Sequence, residues 1–445
     1  MRQAPLLDPA DPARRVLWTR GRATTVAQFS AEVAALAAAL PQGTHLANLC
    51  ERRDLFLLAY CAALARGQTN LLPPSRAPLA IEECMARYPG SYRCDDATVE
   101  RTLGGRSARP PRAAGELTVA GAHVAQIVFT SGSTGVPRAH VKRWRNLLGS
   151  TRFNAERVRA CLAPRYGGAP ASIVATVPAQ HMYGTETSVL LPLLAGMAVH
   201  GGRPLFPADV AAALAEVPPP RVLVTTPVHL RSLVAASVDL PEVGVVISAT
   251  APLERELARA VERALGATLL EMFGSTETCV IATRLTARED AWRLYPGVKL
   301  APSPDGATVT APWFDAATTL ADVIELVPPD GFVVRGRNVD MIEVAGKRAS
   351  LADLTRRILD IPGVRDAIVF QAQPPHSGAV RRVAALVVAP GLAADAIAAH
   401  LSRSIDSAFM PRPLLIVPAL PRNELGKLSH EALQALAAPH CGTSK

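Results

Sequence analysis

Two short stretches of the chain combine hydroxyls, glycines and an acid at spacings that suit phosphate and metal chemistry. Thr130, Ser131, Gly132, Ser133, Thr134 and Gly135 follow the apolar run Ala125 to Phe129. The two glycines let backbone N–H groups approach an anion, and the four hydroxyls add donors. The spacing matches neither the P-loop of ATPases and GTPases nor the dinucleotide fingerprint, so the cradle points to a different nucleotide chemistry. The second stretch, EMFGSTETC from Glu271 to Cys279, runs a buried strand into Gly274 and then presents Thr276 and Glu277. A carboxylate at such a strand end can hold Mg²⁺ on a nucleotide while the neighbouring hydroxyl touches phosphate. Taken alone, Glu277 also reads as an exposed loop acid.

Further along, LADVIELV sets Asp322 in an apolar alternation, where one acid can accept hydrogen bonds from ribose hydroxyls or simply mark a strand edge. Arg337 and Asp340 follow in RGRNVD, and Lys427 comes after Gly426 in a polar turn near the C-terminus. A single lysine in such a turn is ordinarily solvated surface. His181, in QHMYG after a strand, reads either as a residue lining a ligand pocket or as a buried histidine satisfied by backbone. Tyr183 and Phe273 offer flat apolar surface to an aromatic ligand, or belong to the core.

These residues need rigid elements behind them. Strand-like runs at 173–177, 222–225, 243–248 and 267–272 alternate with helix-like patterns at 186–195, 229–235 and 253–265, the signature of α/β layers. After about Arg337 the rhythm changes to helices at 350–359 and 394–405 and strands at 367–370, 383–388 and 414–417. That predicts a small α+β domain, with the join near Gly336 and domains at 1–336 and 337–445. The 445 residues are too many for one ordinary core, and 49% hydrophobic residues leave burial unrestricted. Arg101 to Gly115 reads as a surface loop.

The formal charge of +9 favours anionic partners such as nucleotides or acidic proteins. No Lys/Arg run interleaved with aromatics speaks for nucleic acid, and the pairs Arg14-Arg15 and Arg52-Arg53 read as solvated helix faces. Seven cysteines without a C-x-x-C pair suggest a reducing cytoplasm and no zinc site. The longest apolar run, Leu55 to Ala65, is too short to span a membrane, and the N-terminus lacks the apolar stretch of a secretion signal. A cytoplasmic protein without a membrane partner is expected.

Together and in this order, TSGSTG, FGSTE, GRNVD and LPRNELGK resemble the adenylate-forming enzymes, the superfamily of acyl-CoA synthetases, peptide-synthetase adenylation domains and luciferases. The resemblance runs from about Ala125 to Leu433. It implies an α/β fold in which a large N-terminal domain of helix-covered β-sheets carries the adenylate pocket and a small mobile C-terminal α+β domain rotates between two half-reactions. It also implies ATP and Mg²⁺. Residue by residue, Thr130 to Gly135 would grip the ATP phosphates, with Arg138, Phe273 and Gly274 among the nucleotide contacts. Thr276 would contact the α-phosphate, Glu277 would bind Mg²⁺, Asp322 and Arg337 would hold the ribose, and Lys427 would be the lysine brought in for adenylation. His181 would line or gate the acyl pocket.

Within the superfamily, the segments PAQHMYGTETSVLLPLLAG, ISATAPLERELA, VAGKRASLADL and IDSAFMPRPLLIVPALPRNELGK resemble the ligases of aryl polyene and xanthomonadin pigment pathways. Those ligases load hydroxybenzoate- or hydroxycinnamate-type acids onto an acyl carrier protein. No carrier-type attachment site occurs in the chain, so the resemblance implies that the thiol arrives in trans. Several positions depart from the superfamily pattern. Arg138 stands where a lysine is usual, which Lys142 could partly replace, and Val339 takes the place of the acidic hinge residue. Glu343 replaces a common lysine, and SATAP at 248–252 replaces a Gly-Gly pair. Two rival readings are an acyl-CoA or aryl-CoA synthetase using free coenzyme A, and a nucleotide-binding scaffold or sensor that has lost catalysis.

Overall fold

The computed structural model describes residues 3–7, 11–74, 76, 78–104, 117–130, 138–236, 238–303, 306–337, 341–344, 347–372, 383–402, 405, 409–422, 428–429, 432–433 and 435–436. They belong to two compact units, 1–298 with 310–316 and 299–309 with 317–445.

In the first unit, the strands β1 (Arg15–Thr19) and β2 (Arg22–Thr25) are followed by β3 (His45–Asn48), helix α1 (Arg53–Ala65), β4 (Thr69–Leu72) and β5 (Ser91–Cys94). Next come β6 (Val124–Thr130), β7 (Arg138–Arg143) and the long α2 (Trp144–Tyr166). The α/β rhythm continues with β8 (Ser172–Ala175), α3 (Met182–Thr185), β9 (Ala198–His200), β10 (Arg221–Thr225), α4 (Pro227–Ala235), β11 (Val245–Ser248) and α5 (Arg255–Leu265). The hairpin strands β12 (Thr268–Ser275) and β13 (Cys279–Arg284) and the short β14 (Trp292–Leu294) follow.

One sheet has the order β5-β3-β4-β6-β7, parallel except for the last pair. The other runs β14-β13-β12-β11-β10-β8-β9-β1-β2 within this unit. Its central strands, β12 to β1, are parallel. Because helices cover parallel strands on both faces, β8 and β11 are apolar and buried at nearly every position rather than alternating. Helix α5 supplies one cover: Ala258, Val261 and Leu265, at helical spacing, pack on Val246 and Leu269. The carboxyl ends of the parallel strands share one edge, where ligand sites of such sheets are built.

Several expectations shift on contact with the structure. The helical path expected from Glu186 starts at Met182 and passes through a π-helical turn at Glu186–Leu190. Residues 101–104 end a helix, Asp96–Gly104, rather than opening a surface loop, and 105–116 lie outside the described residues. Arg53 is not on a solvated face. It is fully buried at the start of α1, where its guanidinium donates to Ser188 Oγ and to the carbonyls of Ala175 (3.0 Å) and Val177 (2.7 Å). Those carbonyls lie at and just beyond the end of β8 and need donors.

The second unit, 299–309 with 317–445, includes the residues around Gly336. Strand β15 (Asp322–Val327) and β16 (Gly331–Arg337) form an antiparallel hairpin, so Gly336 lies inside a strand, opposite Val323. Pairing along the hairpin keeps 322–337 in one piece. Helix α6 (Leu351–Leu359), strands β17 (Asp366–Gln371) and β18 (Val383–Val388), helix α7 (Ala394–Leu401) and strand β19 (Leu414–Ile416) follow. The three strands form one sheet in the order β17-β18-β19, with α6 and α7 packed on its apolar face through Leu354, Ile358, Ile397 and Leu401.

Candidate active site

The hairpin β12–β13 supports the first group of expected residues. Phe273 pairs with Ala282, Gly274 with Val280 and Ser275 with Cys279, with a bulge between Phe273 and Gly274. A Cβ on Gly274 would stand 2.1 Å from the Cys279 carbonyl oxygen, so only glycine fits this approach. The turn is closed twice: the Ser275 N–H donates to Thr278 Oγ1 (3.0 Å) and the Thr278 N–H to Ser275 Oγ (3.2 Å). Thr276 and Glu277 sit half-buried at its tip.

The second support is the antiparallel pair β6–β7, which carries the hydroxyl-rich loop. Thr130 at the end of β6 pairs with Arg138, an exposed residue at the start of β7. Ser131, Gly132, Ser133, Thr134 and Gly135 lie outside the described residues. On β7 the usual amphipathic pattern is inverted: His140 and Lys142 are buried, whereas Val141 between them is 51% exposed. His140 Nε2 lies 3.0 Å from Thr130 Oγ1 and 3.7 Å from Glu277 Oε1. The Lys142 ammonium donates to the Glu277 backbone carbonyl. Two segments far apart in sequence are thereby joined side by side.

Burial draws the Glu277 carboxyl upward, but hydrogen bonds from its own N–H and from Ser275, with the positive charge nearby at Lys142 and on any protonated His140, hold it below the usual carboxylate value. Burial pulls His140 down, reinforced by Lys142 and Arg138 and opposed by Glu277, so its imidazole is neutral near pH 7. Beneath them Glu186 is buried, accepting from the Val280 N–H (3.1 Å) and Asn154 Nδ2 (3.3 Å); burial raises its carboxyl despite those bonds and the Lys142 charge. An ionised, half-buried carboxylate fits a hard cation. Among the described residues no group of three or more His, Cys, Asp or Glu is placed to hold a metal.

Of the remaining expected residues, His181 precedes α3, half-buried, with its carbonyl accepting from Thr185. Tyr183 belongs to the core: its hydroxyl donates to the carbonyls of Thr225 and Ile247, both 3.0 Å away, at the ends of β10 and β11. Phe273 is half-buried with its ring 5.2 Å from that of Trp292. In the second unit, Asp322 and Arg337 are backbone partners at the open end of the β15–β16 hairpin. Lys427 lies outside the described residues, between Arg422 and Leu428, which form a β-bridge. Arg422 is fixed to Asp366 by two bonds of 2.7 and 2.6 Å. A cavity of about 400 Å³ in the first unit, lined by Leu148, Thr151, Ala155 and Arg159, contains none of the expected residues.

Sequence reasoning missed His140, Glu186 and Arg53. His140 had a signal, since RAHVKR alternates polar and apolar residues with the polar set on one strand face. Glu186 and Arg53 had none, because their partners are far away in sequence.

Comparison with known proteins agrees with this architecture. The family described as AMP-binding enzyme matches residues 85–329, more than half of the chain. A 4-coumarate–CoA ligase of Halorhodospira halophila is 29% identical over 321 residues, covering 69% of this chain and 75% of its own length. Another, from Rhodobacter capsulatus, is 33% identical over 251 residues, covering 56% of this chain and 61% of its own. Among solved structures, the O-succinylbenzoate coenzyme A synthetase of Bacillus subtilis with ATP and magnesium superposes with a TM-score of 0.77 at 18% identity, over 96% of this chain and 98% of that one. The fold is thus the α/β fold of the adenylate-forming enzymes, and the chain belongs to the AMP-binding enzyme family.

Proposed function

We propose that the protein, an AMP-forming acid–thiol ligase, uses ATP to activate a small aryl carboxylic acid of the hydroxybenzoate or hydroxycinnamate type. The acyl group then passes to the phosphopantetheine thiol of a separate acyl carrier protein in the cytoplasm. In the first half-reaction a carboxylate oxygen attacks the α-phosphorus and pyrophosphate leaves, giving the acyl-adenylate. In the second the thiol attacks the acyl carbon, its proton passes to solvent, and AMP leaves. The observation behind the nucleotide chemistry of this reading is the proximity of Thr130 and Glu277, whose side-chain oxygens lie 3.0 and 3.7 Å from the one His140 Nε2.

On this reading Thr130 to Gly135 hold the departing β- and γ-phosphates and Thr276 steadies the α-phosphate. Mg²⁺, when bound at Glu277, neutralises charge on the phosphates. One well-aimed electrostatic donor is typically worth about 10²–10³ in rate. Asp322 and Arg337 hold the ribose, His181 borders the acid, and Lys427 enters with a mobile C-terminal domain. The charge of +9 speeds encounter with an acidic carrier protein. Coenzyme A is the second reading, favoured by the activity named for the two 4-coumarate–CoA ligase relatives.

The test has two parts. Acid-dependent exchange of labelled pyrophosphate into ATP, across benzoic, cinnamic and fatty acids, should be fastest with a hydroxylated aryl acid. Intact-mass analysis of holo carrier protein with enzyme, ATP and that acid should show acyl loading; efficient coenzyme A ligation without loading of a carrier from the same pathway refutes the carrier and leaves the ligase.

A further inference from the structure

We infer that Lys142 is a positioning residue for the nucleotide half-reaction, holding the hairpin tip that carries Glu277 against the strand that leads out of the phosphate loop. The inference rests on the proposed role of Glu277 and adds a residue that this role requires.

Lys142 is only 6% exposed, and burying an ammonium is costly unless its protons are bonded. Among the described residues it forms no ion pair with a carboxylate; its ammonium is spent on the main-chain oxygen of Glu277, beside the Cys279 thiol. That bond fixes the turn itself rather than a side chain. Two residues before it, His140 Nε2 lies 3.0 Å from Thr130 Oγ1 and 3.7 Å from the Glu277 carboxylate, so β7 meets the tip at two points. Stability alone favours the reverse arrangement, since a strand gains by burying Val141 and exposing its cations. The lysine's charge also acts on two acids, Glu186 in the core and Glu277 at the tip, favouring the ionised form of each.

Lys142→Met and Glu277→Gln are compared with the unaltered full-length enzyme. MgATP binding is measured by calorimetry without acid, the acid KM by pyrophosphate exchange, and the ligand-free Tm by scanning. Lys142→Met should weaken MgATP binding by about 10- to 100-fold, the range of one charge-assisted hydrogen bond, with the acid KM changed less than about twofold. If the Met variant does not fold, Lys142→Gln carries the test, because its shorter side chain cannot reach the Glu277 carbonyl and the same loss is expected. Lys142→Arg, which keeps charge and donor, should recover most of the affinity. Unchanged MgATP affinity in the Met or Gln variant, whatever its Tm, overturns the inference, as does a loss confined to the acid KM. An unaltered enzyme that does not bind MgATP defeats the functional reading itself. Binding that is weakened by Glu277→Gln but not by either Lys142 variant defeats this inference alone.

Discussion

Gly274→Ala separates the path of the hairpin from its chemistry, because the substitution adds one methyl group and removes no functional atom. The new Cβ would stand 2.1 Å from the Cys279 oxygen and 2.8 Å from both Cys279 C and Val280 Cα. Ordinary contact begins at 3.4 Å, so β12 and β13 must part by the difference, 1.3 Å, at the base of the turn. All three opposing atoms are backbone, and no rotamer change relieves them. The cost should sit at the upper end for overpacking, about 3 kcal/mol, lowering Tm by about 5 °C. Thr276 and Glu277 move with the turn, and a displacement of about 1 Å at a reacting centre costs about 100-fold in rate. Pyrophosphate exchange reads the activity and scanning calorimetry the stability. Gly266→Ala is the matched control: its φ of +59° makes alanine strained, yet nothing lies within 4 Å of the added carbon. It should lose about 1 kcal/mol and exchange normally. A Gly274→Ala enzyme that exchanges at the unaltered rate, or a Gly266→Ala enzyme equally impaired, refutes the reasoning.

Tyr183→Phe removes the donor shared by the Thr225 and Ile247 carbonyls and should cost about 1 kcal/mol in denaturant unfolding, with the acid KM unchanged within about twofold. A large rise in KM would return Tyr183 to the acid pocket. Burial lowers the pKa values of His45, His140 and His229 below 6.5, with Arg203 adding to the shift at His229. The unfolded chain therefore binds more protons, and the stability these groups contribute above pH 6.5 is lost as pH falls toward their folded values. His229→Gln should flatten the slope of Tm against pH between about 7.5 and 5.5; an unaltered slope excludes His229 as a contributor. Glu186 and Glu271, raised above 4.5 by burial, act with the opposite sign: the stability they contribute below pH 4.5 is lost as pH rises through their folded values.

The elements were legible where one face repeated cleanly. The apolar runs at 222–225, 243–248 and 383–388 became strands within two residues, and Leu253 to Leu265 became α5 apart from its first two positions. Boundaries failed where tertiary partners took over backbone groups. Strand β8 stops at Ala175 because Arg53 claims the Ala175 and Val177 carbonyls, a contact spanning more than a hundred residues. The glycine at 274 was read as the end of a strand, which it nearly is, but the reason for glycine, the Cys279 carbonyl across the hairpin, belongs to register. At the candidate site, Thr130, Thr276 and Glu277 were singled out by residue type and spacing. His140 was not, because a buried histidine between two such segments has meaning only once β7 is seen beside the β12–β13 turn.

The position of β1 sets a timetable for synthesis. Its parallel partner is β9, with Leu17 opposite Val199. At roughly 5–20 residues per second, a ribosome needs about 10–40 s to make the roughly 180 residues between them. For that time Val16, Leu17 and Trp18, all buried in the finished sheet, have only β2 for a sheet partner, leaving an apolar strand with one open edge. The bond from the Gly201 N–H to the Trp18 carbonyl and that from the Arg53 N–H to the Gly201 carbonyl can form only after residue 201 has emerged. An early-made strand thus waits for a partner made about 180 residues later, and any pause in translation before residue 200 lengthens the exposure of that edge.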